Sequence, residues 1–469
     1  MCDAPRPAFE QRSHRSWFRG LSQARWVERT TARLVQLEAW ERPPRLLLLQ
    51  SDPTEILAGF MAAAIAQCPL FLGNPGWKQQ ELDQAQAIAQ PHLIWADSGD
   101  RHCAAPPTNL QEIGWIMIPT GGTSGKIKFA IHTWDTLSAA VAGMQQFFFG
   151  NDPQPIHSCC VLPLHHVSGL MQFMRSLLTG GELVLCPFAD FLQGVSPDPA
   201  LQDFLNPRST LPQSFFLSLV PTQLYRWMQH CQNIPGGNDH RLGWLAQFYA
   251  ILLGGAPASS QLLHGARQAQ LPLAPTYGMT ETAAQVMTLK PQDFLAGKSP
   301  PGAVLPHVQL TLVGDMEQTQ MQWSGRSLFW GYYPQRQAAQ QFLSDDRAEA
   351  QPNGHLKLLG RVSRKIISGG ENIYPEEVEA VMLAMPEIQD VCVFGVPDPD
   401  WGERVVAAYV STLNGLSPCD MERWVRSRLA AYKCPKQWWK MERLPRNAQG
   451  KLTLATLTTA WINRTSPCE

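Results

Sequence analysis

Short apolar runs alternate with longer amphipathic segments through the first half of the chain. Residues 45–49 and 69–72 are apolar runs, and Asp52-Pro53 lies between them. A short apolar run bounded by turn residues indicates a buried strand, and a proline at the first helical position indicates a helix start. This order of elements predicts a parallel sheet with helices on its faces.

The same pattern recurs along the chain. Further strands are predicted at residues 92–95, 114–118, 159–162, 182–185, 215–219 and 250–253, and helices at residues 21–37, 53–67 and 77–89 and from Ser168 and Pro221. From residue 304 to 329 the alternation of apolar and polar positions is typical of antiparallel strands. Strands at residues 391–395 and 405–410 and an amphipathic helix at residues 421–431 predict a compact α+β module at the C-terminal end.

The junction between the two parts is basic and rich in glycine. The pair Gly369-Gly370 is followed by Pro375, which opens an acidic helix start. Glycine permits backbone angles and close ligand approach that a side chain would block, and carboxylates favour the first turn of a helix. We therefore predict a swivel between two domains, residues 1–361 and residues 362–469, which contribute to one active site.

Composition indicates a globular protein. The chain has 469 residues, too many for one ordinary core, and a formal net charge of -1, so nucleic acid is not an expected partner. The longest apolar run, near residues 56–66, is far shorter than the ~20 residues of a membrane span, so no membrane insertion is expected. The 11 cysteines include no CxxC pair, which favours a reduced cytoplasmic protein without structural zinc.

A loop rich in glycines, hydroxyls and lysines follows the strand predicted at residues 114–118. Residues 120–128 read Thr-Gly-Gly-Thr-Ser-Gly-Lys-Ile-Lys, and exposed backbone N–H groups with hydroxyls and cations suit a phosphate. The loop differs from the common nucleotide-binding motif, because only three residues separate Gly121 from Gly125 and Ile127 replaces serine or threonine. A purely structural turn is the alternative.

Two further segments carry groups that suit phosphate-transfer chemistry. The hydroxyl of Thr280 beside the carboxylate of Glu281 can hold a phosphate oxygen and Mg²⁺ together, although such a pair near a helix start is usually a cap. Lys451 follows Gly450 and is a long cation on a mobile turn, which by itself would be ordinary surface.

In combination, these segments resemble the acyl-adenylate-forming superfamily, which contains acyl- and aryl-CoA synthetases, luciferases and the adenylation domains of peptide synthetases. The resemblance covers nearly the whole chain. Three motifs are most similar to the 2-succinylbenzoate–CoA ligases of menaquinone and phylloquinone biosynthesis: Leu-Pro-Leu-His-His-Val-Ser-Gly-Leu (residues 162–170), Thr-Tyr-Gly-Met-Thr-Glu-Thr (276–282) and Ile-Ser-Gly-Gly-Glu-Asn-Ile-Tyr-Pro (367–375).

The resemblance implies an α/β fold with a large N-terminal domain of mainly parallel sheets flanked by helices. This domain would include a small β-barrel-like part, and a small mobile α+β domain would follow it. The co-substrates and cofactor would be ATP, CoA and Mg²⁺.

The resemblance also implies roles for the matching residues. ATP would be bound by Thr120, Gly121, Gly122, Thr123, Ser124, Gly125 and Lys128 at the β- and γ-phosphates, by Gly254, Gly255, Ala256, Thr276 and Tyr277 around the adenine, and by Asp346 and Arg361 at the ribose. Thr280 would contact the α-phosphate, Glu281 would bind Mg²⁺, and Lys451 would reach the attacking carboxylate and the α-phosphate. Ser363 would be the hinge, and Gly369 and Gly370 would line the path of CoA.

Three positions depart from the pattern of the superfamily. Gly121 replaces the usual serine, and Ile127 replaces the usual proline. Ser344-Asp345-Asp346 stands where Thr-Gly-Asp is usual, so Asp345 could bind the ribose in place of Asp346.

Ser168 and Arg175 suggest which acid is activated. They are seven residues apart in an apolar, helix-like stretch, so two helical turns put them on one face. An arginine in such surroundings needs an anion, either an acidic neighbour in a structural ion pair or a second carboxylate of the substrate. In the ligases that the chain resembles, a serine and an arginine at these positions face the aromatic carboxylate of 2-succinylbenzoate, and the succinyl carboxylate is activated.

By the same resemblance His166 would wall the acyl site and take part in catalysis, and Gly278 would contact the substrate. A core histidine is the alternative for His166. The predicted function is therefore that of a 2-succinylbenzoate–CoA ligase, an AMP-forming acid–thiol ligase.

The sequence leaves alternatives to this function. The nearest is another acyl- or aryl-CoA synthetase that acts on a fatty or benzoic acid. A non-catalytic nucleotide-binding relative is disfavoured because Thr280, Glu281, Arg361 and Lys451 are all present. The loop spacing disfavours an ordinary P-loop kinase. The expected partners are small molecules only, namely the carboxylic acid, ATP and CoA, for a monomer or a homodimer.

Overall fold

The structure is a computed structural model that describes most of the chain. The described residues are 4–121, 127–206, 215–232, 238–314, 319–338, 340–350, 356–368, 371–398, 401–412, 416–429, 431–446 and 452–465. They form four β-sheets with helices packed on their faces.

The first sheet has six strands. The elements of this region are α1 (Pro5–Ser13), β1 (Phe18–Arg19), α2 (Gln23–Glu38), β2 (Leu46–Leu49), α3 (Pro53–Ile65), β3 (Leu70–Leu72), α4 (Gln79–Ala89), β4 (Leu93–Ala96), β5 (Gly99–His102), β6 (Trp115–Gly121), β7 (Ile127–Thr133) and α5 (Trp134–Phe149). The strand order is β5-β4-β2-β3-β6-β7, with parallel neighbours from β4 to β6 and antiparallel edge strands. Asp52 caps α3 by accepting the Thr54 N–H at 2.8 Å, as the Asp-Pro start predicts.

The second sheet has eight strands and carries most of the candidate site. Its region contains β8 (His157–Cys160), α6 (Val167–Thr179), β9 (Leu183–Leu185), α7 (Phe188–Gln193), α8 (Pro199–Leu205), β10 (Phe215–Leu219), α9 (Pro221–Gln232), α10 (Asn238–Leu245), β11 (Ala250–Leu253), α11 (Ser260–Gln268), β12 (Leu273–Met279), β13 (Ala284–Thr288), α12 (Pro291–Leu295) and β14 (Ala303–Val304). The order is β1-β9-β8-β10-β11-β12-β13-β14, parallel from β1 to β12 and antiparallel beyond.

The third sheet is antiparallel and consists of β15 (Val308–Val313), β16 (Gln320–Gly325), β17 (Gln341–Ala350) and β18 (Leu356–Arg361). The chain then passes through a 3₁₀ turn at Val362–Arg364 into the fourth sheet. The elements of this last region are β19 (Ile366–Ser368), β20 (Glu371–Ile373), α13 (Pro375–Leu383), β21 (Ile388–Asp398), β22 (Gly402–Ser411), α14 (Pro418–Arg426), β23 (Gln437–Lys440) and α15 (Leu454–Thr465).

The predicted α/β class is confirmed, with mainly parallel sheets in the large part and an α+β module at the end. The helix predicted at residues 421–431 is misplaced, because α14 begins at Pro418, where the Ser417 hydroxyl caps it, and ends at Arg426. The strand β7 and the helix α5, which follow the glycine-rich loop, were not predicted from the sequence. Within the described ranges, no helix combines the length and apolar character that a membrane span requires.

Candidate active site

A cavity of about 1240 Å³ opens at the carboxyl ends of the parallel strands of the second sheet. This edge is where open α/β sheets bind their ligands. The opposite wall belongs to the C-terminal region and includes Asp390, Leu444, Arg446 and Leu457. The predicted site residues that line the cavity are His166, Ser168, Arg175, Gly254, Gly255, Thr276, Gly278 and Thr280.

Thr280 and Glu281 lie in a single 3₁₀ turn, Thr280–Thr282, between β12 and β13. The Met279 N–H donates to the hydroxyl of Thr282 at 3.1 Å, so Thr282 caps the turn. The alternative that Glu281 is a helix cap is therefore wrong. Glu281 is only 7% exposed, and its Oε1 accepts the hydroxyl proton of Tyr332 at 2.6 Å. A buried carboxylate is thus held at the edge of the cavity by a neutral donor.

His132 holds the same turn from β7. Its Nε2 lies 2.7 Å from the carbonyl oxygen of Thr280, and Nδ1 lies 3.0 Å from Oγ1 of Thr136. Burial lowers the pKa of His132 to about 4, so the ring is neutral at pH 7. Because a carbonyl only accepts, Nε2 carries the proton and donates it.

Neither His132 nor Tyr332 is among the site residues predicted from the sequence. The contacts that these side chains make span 148 and 51 positions along the chain, and no local pattern indicates a partner at such a distance.

The carboxylate of Glu281 suits a hard cation that takes its other ligands from the substrate. The described residues contain no group of three or more His, Cys, Asp or Glu side chains that could enclose a metal ion. Mg²⁺ is commonly held by one or two carboxylates together with substrate phosphates and water. Within the described part of the chain, Oε2 of Glu281 has no hydrogen-bond partner, so it is available to such an ion.

The residues predicted around the adenine lie at the ends of β11 and β12. A Cβ on Gly254 would come within 2.8 Å of the Thr276 methyl group, and Gly255 has a φ of +81°, so both positions favour glycine. Ala256 follows them and is exposed. The hydroxyl of Thr276 donates to the carbonyl of Met287 at 2.9 Å, which fixes this strand end.

The geometry favours Asp346 over Asp345 as the carboxylate next to the predicted adenine residues. The hydroxyl of Tyr277 donates to Oδ2 of Asp346 at 2.6 Å. Asp346 also pairs with Arg361 in the β17–β18 ladder. Successive side chains of a strand point to opposite faces, and Asp345 is exposed on the other face.

The glycine-rich loop joins two antiparallel strands. Thr120 pairs with Lys128, and Gly121 with Ile127, across β6 and β7. Lys128 is exposed, and its Nζ lies 5.1 Å from the ring centroid of Tyr332.

Arg175 lines the cavity and lies on α6, the same helix as Ser168. It is 3% exposed, and its Nη2 donates to Oε1 of Gln285 on β13. Burial lowers the pKa of Arg175 to about 10, and no carboxylate contacts its guanidinium among the described residues. The structural ion pair considered for Arg175 therefore has no acidic partner in the described part of the chain.

Two donors next to this arginine are unused. Nε of Arg175 and Nε2 of Gln285 are buried and have no partner among the described residues, and both side chains line the cavity. A buried donor without an acceptor is costly, so this arrangement suits an anionic ligand. Gln285 lies four residues after the Thr-Glu motif and was not among the site residues predicted from the sequence.

His166 and Gly278 occupy the same cavity. His166 is half-buried at the start of α6 and lines the cavity, so it is not a core histidine. A Cβ on Gly278 would come within 2.0 Å of the carbonyl of Ala284, so glycine allows β12 and β13 to approach closely at their bulge.

The segment that precedes Lys451 forms part of the opposite wall, with Pro445 and Arg446 lining the cavity. Arg446 and Leu452 form an antiparallel bridge, and the Thr453 N–H donates to the carbonyl of Pro445 at 3.0 Å. Nη2 of Arg446 donates to both carboxylate oxygens of Asp390, each at 2.8 Å. The ends of the segment that contains Lys451 are thus fixed beside the cavity.

Several predicted residues lie outside the described residues, namely Gly122, Thr123, Ser124, Gly125, Gly369, Gly370 and Lys451. The backbone of Arg361 and Ser363 is described, but their side chains are not.

Comparison with known proteins identifies the family. The profile of the AMP-binding enzymes matches residues 83–333, and that of the C-terminal domain of AMP-binding enzymes matches residues 377–451. A 2-succinylbenzoate–CoA ligase of Enterococcus faecalis is 30% identical over 431 residues, 89% of this chain and 83% of that protein. A ligase of the same name from Listeria monocytogenes is 31% identical over 459 residues, 93% of this chain and 92% of that protein.

Solved structures share the fold. The o-succinylbenzoate CoA synthetase of Bacillus subtilis in complex with its acyl-adenylate intermediate has a TM-score of 0.78 at 21% identity, over 97% of this chain and 98% of that one. The same enzyme with ATP and a magnesium ion also has a TM-score of 0.78 at 21% identity, over 97% and 99% of the two chains. The chain belongs to the family of AMP-binding enzymes. Its class within that family is that of the AMP-forming acyl-CoA ligases.

Proposed function

We propose that this enzyme is a 2-succinylbenzoate–CoA ligase. It joins the succinyl carboxylate to AMP with release of pyrophosphate and then transfers the acyl group to CoA. The observation that carries this choice of acid is Arg175, a buried cation without a carboxylate partner in the described part of the chain, on the wall of the cavity. The names of the Enterococcus and Listeria relatives support the same substrate.

The ring carboxylate of the substrate would bind beside Ser168, Arg175 and Gln285, a part of the cavity that we call the acyl end. Arg175 and Gln285 each have one unused donor there, and the exposed hydroxyl of Ser168 lines the same cavity. A fatty acid or benzoate has no second carboxylate to satisfy these donors. This requirement separates the proposed acid from the substrates of related synthetases.

The attack on ATP needs positive charge at the α-phosphorus, because the carboxylate and the phosphate repel each other. Glu281 would help to hold Mg²⁺, which when bound would supply part of that charge. The hydroxyl of Thr280 would donate to the α-phosphate, and Lys451 would approach both reacting groups from the opposite wall. Such preorganised donors stabilise the developing charge and typically contribute about 10²–10³ in rate.

The remaining nucleotide contacts follow from the same placement. Gly254, Gly255, Ala256, Thr276 and Tyr277 would enclose the adenine, and Asp346 with Arg361 would bind the ribose hydroxyls. Thr120, Lys128 and the loop between them would hold the outer phosphates. The hydrogen bond from Tyr277 to Asp346 supports a shared adenosine site.

The second half-reaction would use the other domain. We place the boundary at residues 361 and 362, which is supported by the change of sheet between Arg361 and Ile366. Rotation about Ser363 would withdraw Lys451 and bring Gly369-Gly370 to the site for CoA. His166 would separate the acyl site from the CoA side, so that water is excluded until the thiol arrives.

We also propose a cytoplasmic role in menaquinone or phylloquinone biosynthesis, with small-molecule partners only and as a monomer or a homodimer. The nine cysteines in the described ranges are free, and free thiols fit a reducing compartment.

Mass spectrometry of the product tests the proposal. Incubation with ATP, Mg²⁺, CoA and 2-succinylbenzoate should give the mono-CoA thioester together with AMP and pyrophosphate. Lys451→Ala should release almost no pyrophosphate but should still form thioester from supplied acyl-AMP. Activity with fatty or benzoic acids alone would favour the related synthetases, and absence of pyrophosphate release with every acid would favour a non-catalytic relative.

A further inference from the structure

A short segment, residues 329–333, connects the two elements that flank the proposed phosphate site. The Trp330 N–H donates to the carbonyl of Ile131 at 2.7 Å, and the Ile131 N–H donates to that of Gly331 at 2.9 Å. At its start, the Phe329 N–H donates to the carbonyl of Glu281 at 2.9 Å. This bracing segment therefore binds β7, which carries Lys128, and the turn that carries Glu281.

The side chain of Tyr332 also connects β7 with the turn that carries Glu281. Its hydroxyl donates to Oε1 of Glu281 at 2.6 Å, and its ring lies 5.1 Å from Nζ of Lys128. Phe329 packs edge-on against the ring, with centroids 5.0 Å apart, and restricts its rotation. One side chain thus contacts the proposed metal ligand and a proposed phosphate-binding cation.

The hydroxyl of Tyr332 acts as a donor. The oxygen of an ionised carboxylate only accepts, so in the 2.6 Å contact with Glu281 the phenol supplies the proton. A protonated phenol next to a carboxylate donates to it and fixes its rotation. Oε1 is then occupied, and Oε2 is the oxygen presented to a cation.

We propose that Tyr332 is a positioning residue for the adenylation step. Its hydroxyl aligns the Glu281 carboxylate for metal–ATP, and its ring places the Lys128 ammonium beside the outer phosphates. This inference rests on the proposed function only in its use of metal–ATP, and not on which acid is activated.

Tyr333 provides a matched control on the same segment. Its hydroxyl donates to Oε1 of Glu112 at 3.3 Å, and its ring packs on Phe71 with centroids 4.9 Å apart. Glu112 belongs to a different part of the fold, beside Arg45. Tyr333→Phe removes a half-buried hydroxyl from the segment without a change at Glu281 or Lys128.

Metal binding is the readout that separates positioning from general stability. Mn²⁺ binding is measured by electron paramagnetic resonance with a non-cleavable ATP analogue and no acid, for the wild type, Tyr332→Phe and Tyr333→Phe. We expect Tyr332→Phe to weaken Mn²⁺ binding by about 10-fold or more, as the loss of one hydrogen bond to a charged group implies. Tyr333→Phe should bind Mn²⁺ as the wild type does.

Two further readouts test the two halves of the inference. Tyr332→Phe should raise the Mg²⁺ concentration needed for ATP–pyrophosphate exchange but leave thioester formation from supplied acyl-AMP unchanged. Tyr332→Leu, which also removes the ring, should weaken binding of the ATP analogue by a further 2–5-fold or so, the size of an exposed cation–π contact.

Equal Mn²⁺ affinity in the wild type and Tyr332→Phe would overturn the inference and leave the proposed function intact. Equal losses in Tyr332→Phe and Tyr333→Phe, together with equal falls in Tm, would overturn it as well. A wild type that binds no Mn²⁺ with the ATP analogue would overturn both this inference and the proposed function.

Discussion

Arg175 and Arg364 are both largely buried, but their surroundings are opposite. Arg364 donates to Glu376 at 2.9 Å, to Glu379 at 2.7 Å and to the carbonyl of Val393 at 3.1 Å. Arg175 donates to the neutral Gln285 and has an unused Nε within the described part of the structure. One cation is neutralised within the fold, and the other is not.

The pKa values of Arg175 and Arg364 differ in the same way as their surroundings. Burial lowers the pKa of Arg175 to about 10. Burial would also lower that of Arg364, but the charges of Glu379 and Glu376 raise it above the ordinary value. Removal of a charge that the fold neutralises leaves its partners unpaired and destabilises the fold, whereas a charge without a counterion is available to a ligand. We therefore expect loss of Arg364 to reduce stability and loss of Arg175 to reduce substrate binding.

Arg364→Ala has the largest expected effect. It leaves Glu376 and Glu379 without their cation, and breaking a buried ion pair costs about 3–5 kcal/mol of unfolding free energy. Because these side chains are 16–20% exposed, we expect a value near the lower limit. Urea unfolding measures it, with Arg423→Ala as control, since that arginine is 78% exposed beside Asp420 and its loss should not be measurable. Equal stability of the two variants would contradict the structural role of Arg364.

Arg175→Ala should raise KM for 2-succinylbenzoate by about 10²-fold or more, because loss of one partner of a buried charge pair costs about 2–5 kcal/mol. The KM for ATP should not change, since Arg175 lies at the acyl end. Tm should not fall, because the variant removes a buried charge that lacks a counterion in the described part of the chain. A clear fall in Tm with an unchanged KM would instead assign Arg175 a structural role.

His307 shows a third way in which a buried basic group avoids an unpaired charge. Both ring nitrogens are buried without a partner among the described residues, and burial lowers the pKa of His307 to about 4 from the usual 6.5. The unfolded state therefore binds more protons between these pH values, and stability is lost as pH falls from 6.5 towards 4. The contribution of His307 is about 3 kcal/mol at most.

The unfolding free energy measured against pH tests this expectation. His132 and His165, whose pKa values are also lowered to about 4, contribute to the same acid limb. His307→Leu should therefore make the slope below pH 6.5 shallower without removing it. An unchanged slope would show that His307 is not neutral in the fold.

Gln285→Met has the smallest expected effect. It removes one neutral donor from the acyl end, and such a hydrogen bond contributes about 0.5–1.5 kcal/mol, or roughly 2–10-fold in KM for 2-succinylbenzoate. Steady-state assays with Gln172→Met as control measure it, since Gln172 lies on α6 but does not line the cavity. Equal KM values for the two variants would remove Gln285 from the acyl site.

The sequence predicted the positions of strands along the chain better than it predicted the contacts of the site. Buried runs such as Leu46–Leu49 and caps such as Asp52 are local signals, and both appear where they were expected. The hairpin of β6 and β7 was missed because the glycine-rich loop obscured the second strand. The position of Arg175 opposite Gln285 depends on the packing of α6 against β13, which no pattern of neighbouring residues records.

The carboxylate proposed to bind the ribose shows the same limit. Sequence alone left Asp345 and Asp346 open, because both are carboxylates in adjacent positions. The register of β17 and β18 places Asp346 opposite Arg361 and within reach of Tyr277, and this register is a property of the folded sheet.

The most direct test compares 2-succinylbenzoate with its analogue that lacks the ring carboxylate, in the wild type and in Arg175→Ala. Adenylation is measured as pyrophosphate release, and the ratio of kcat/KM for the two acids is compared between the proteins. We expect the wild type to prefer 2-succinylbenzoate by about 10²-fold and Arg175→Ala to use the two acids nearly equally. A wild type without this preference, or a variant that retains it in full, would contradict the assignment of Arg175 to the ring carboxylate.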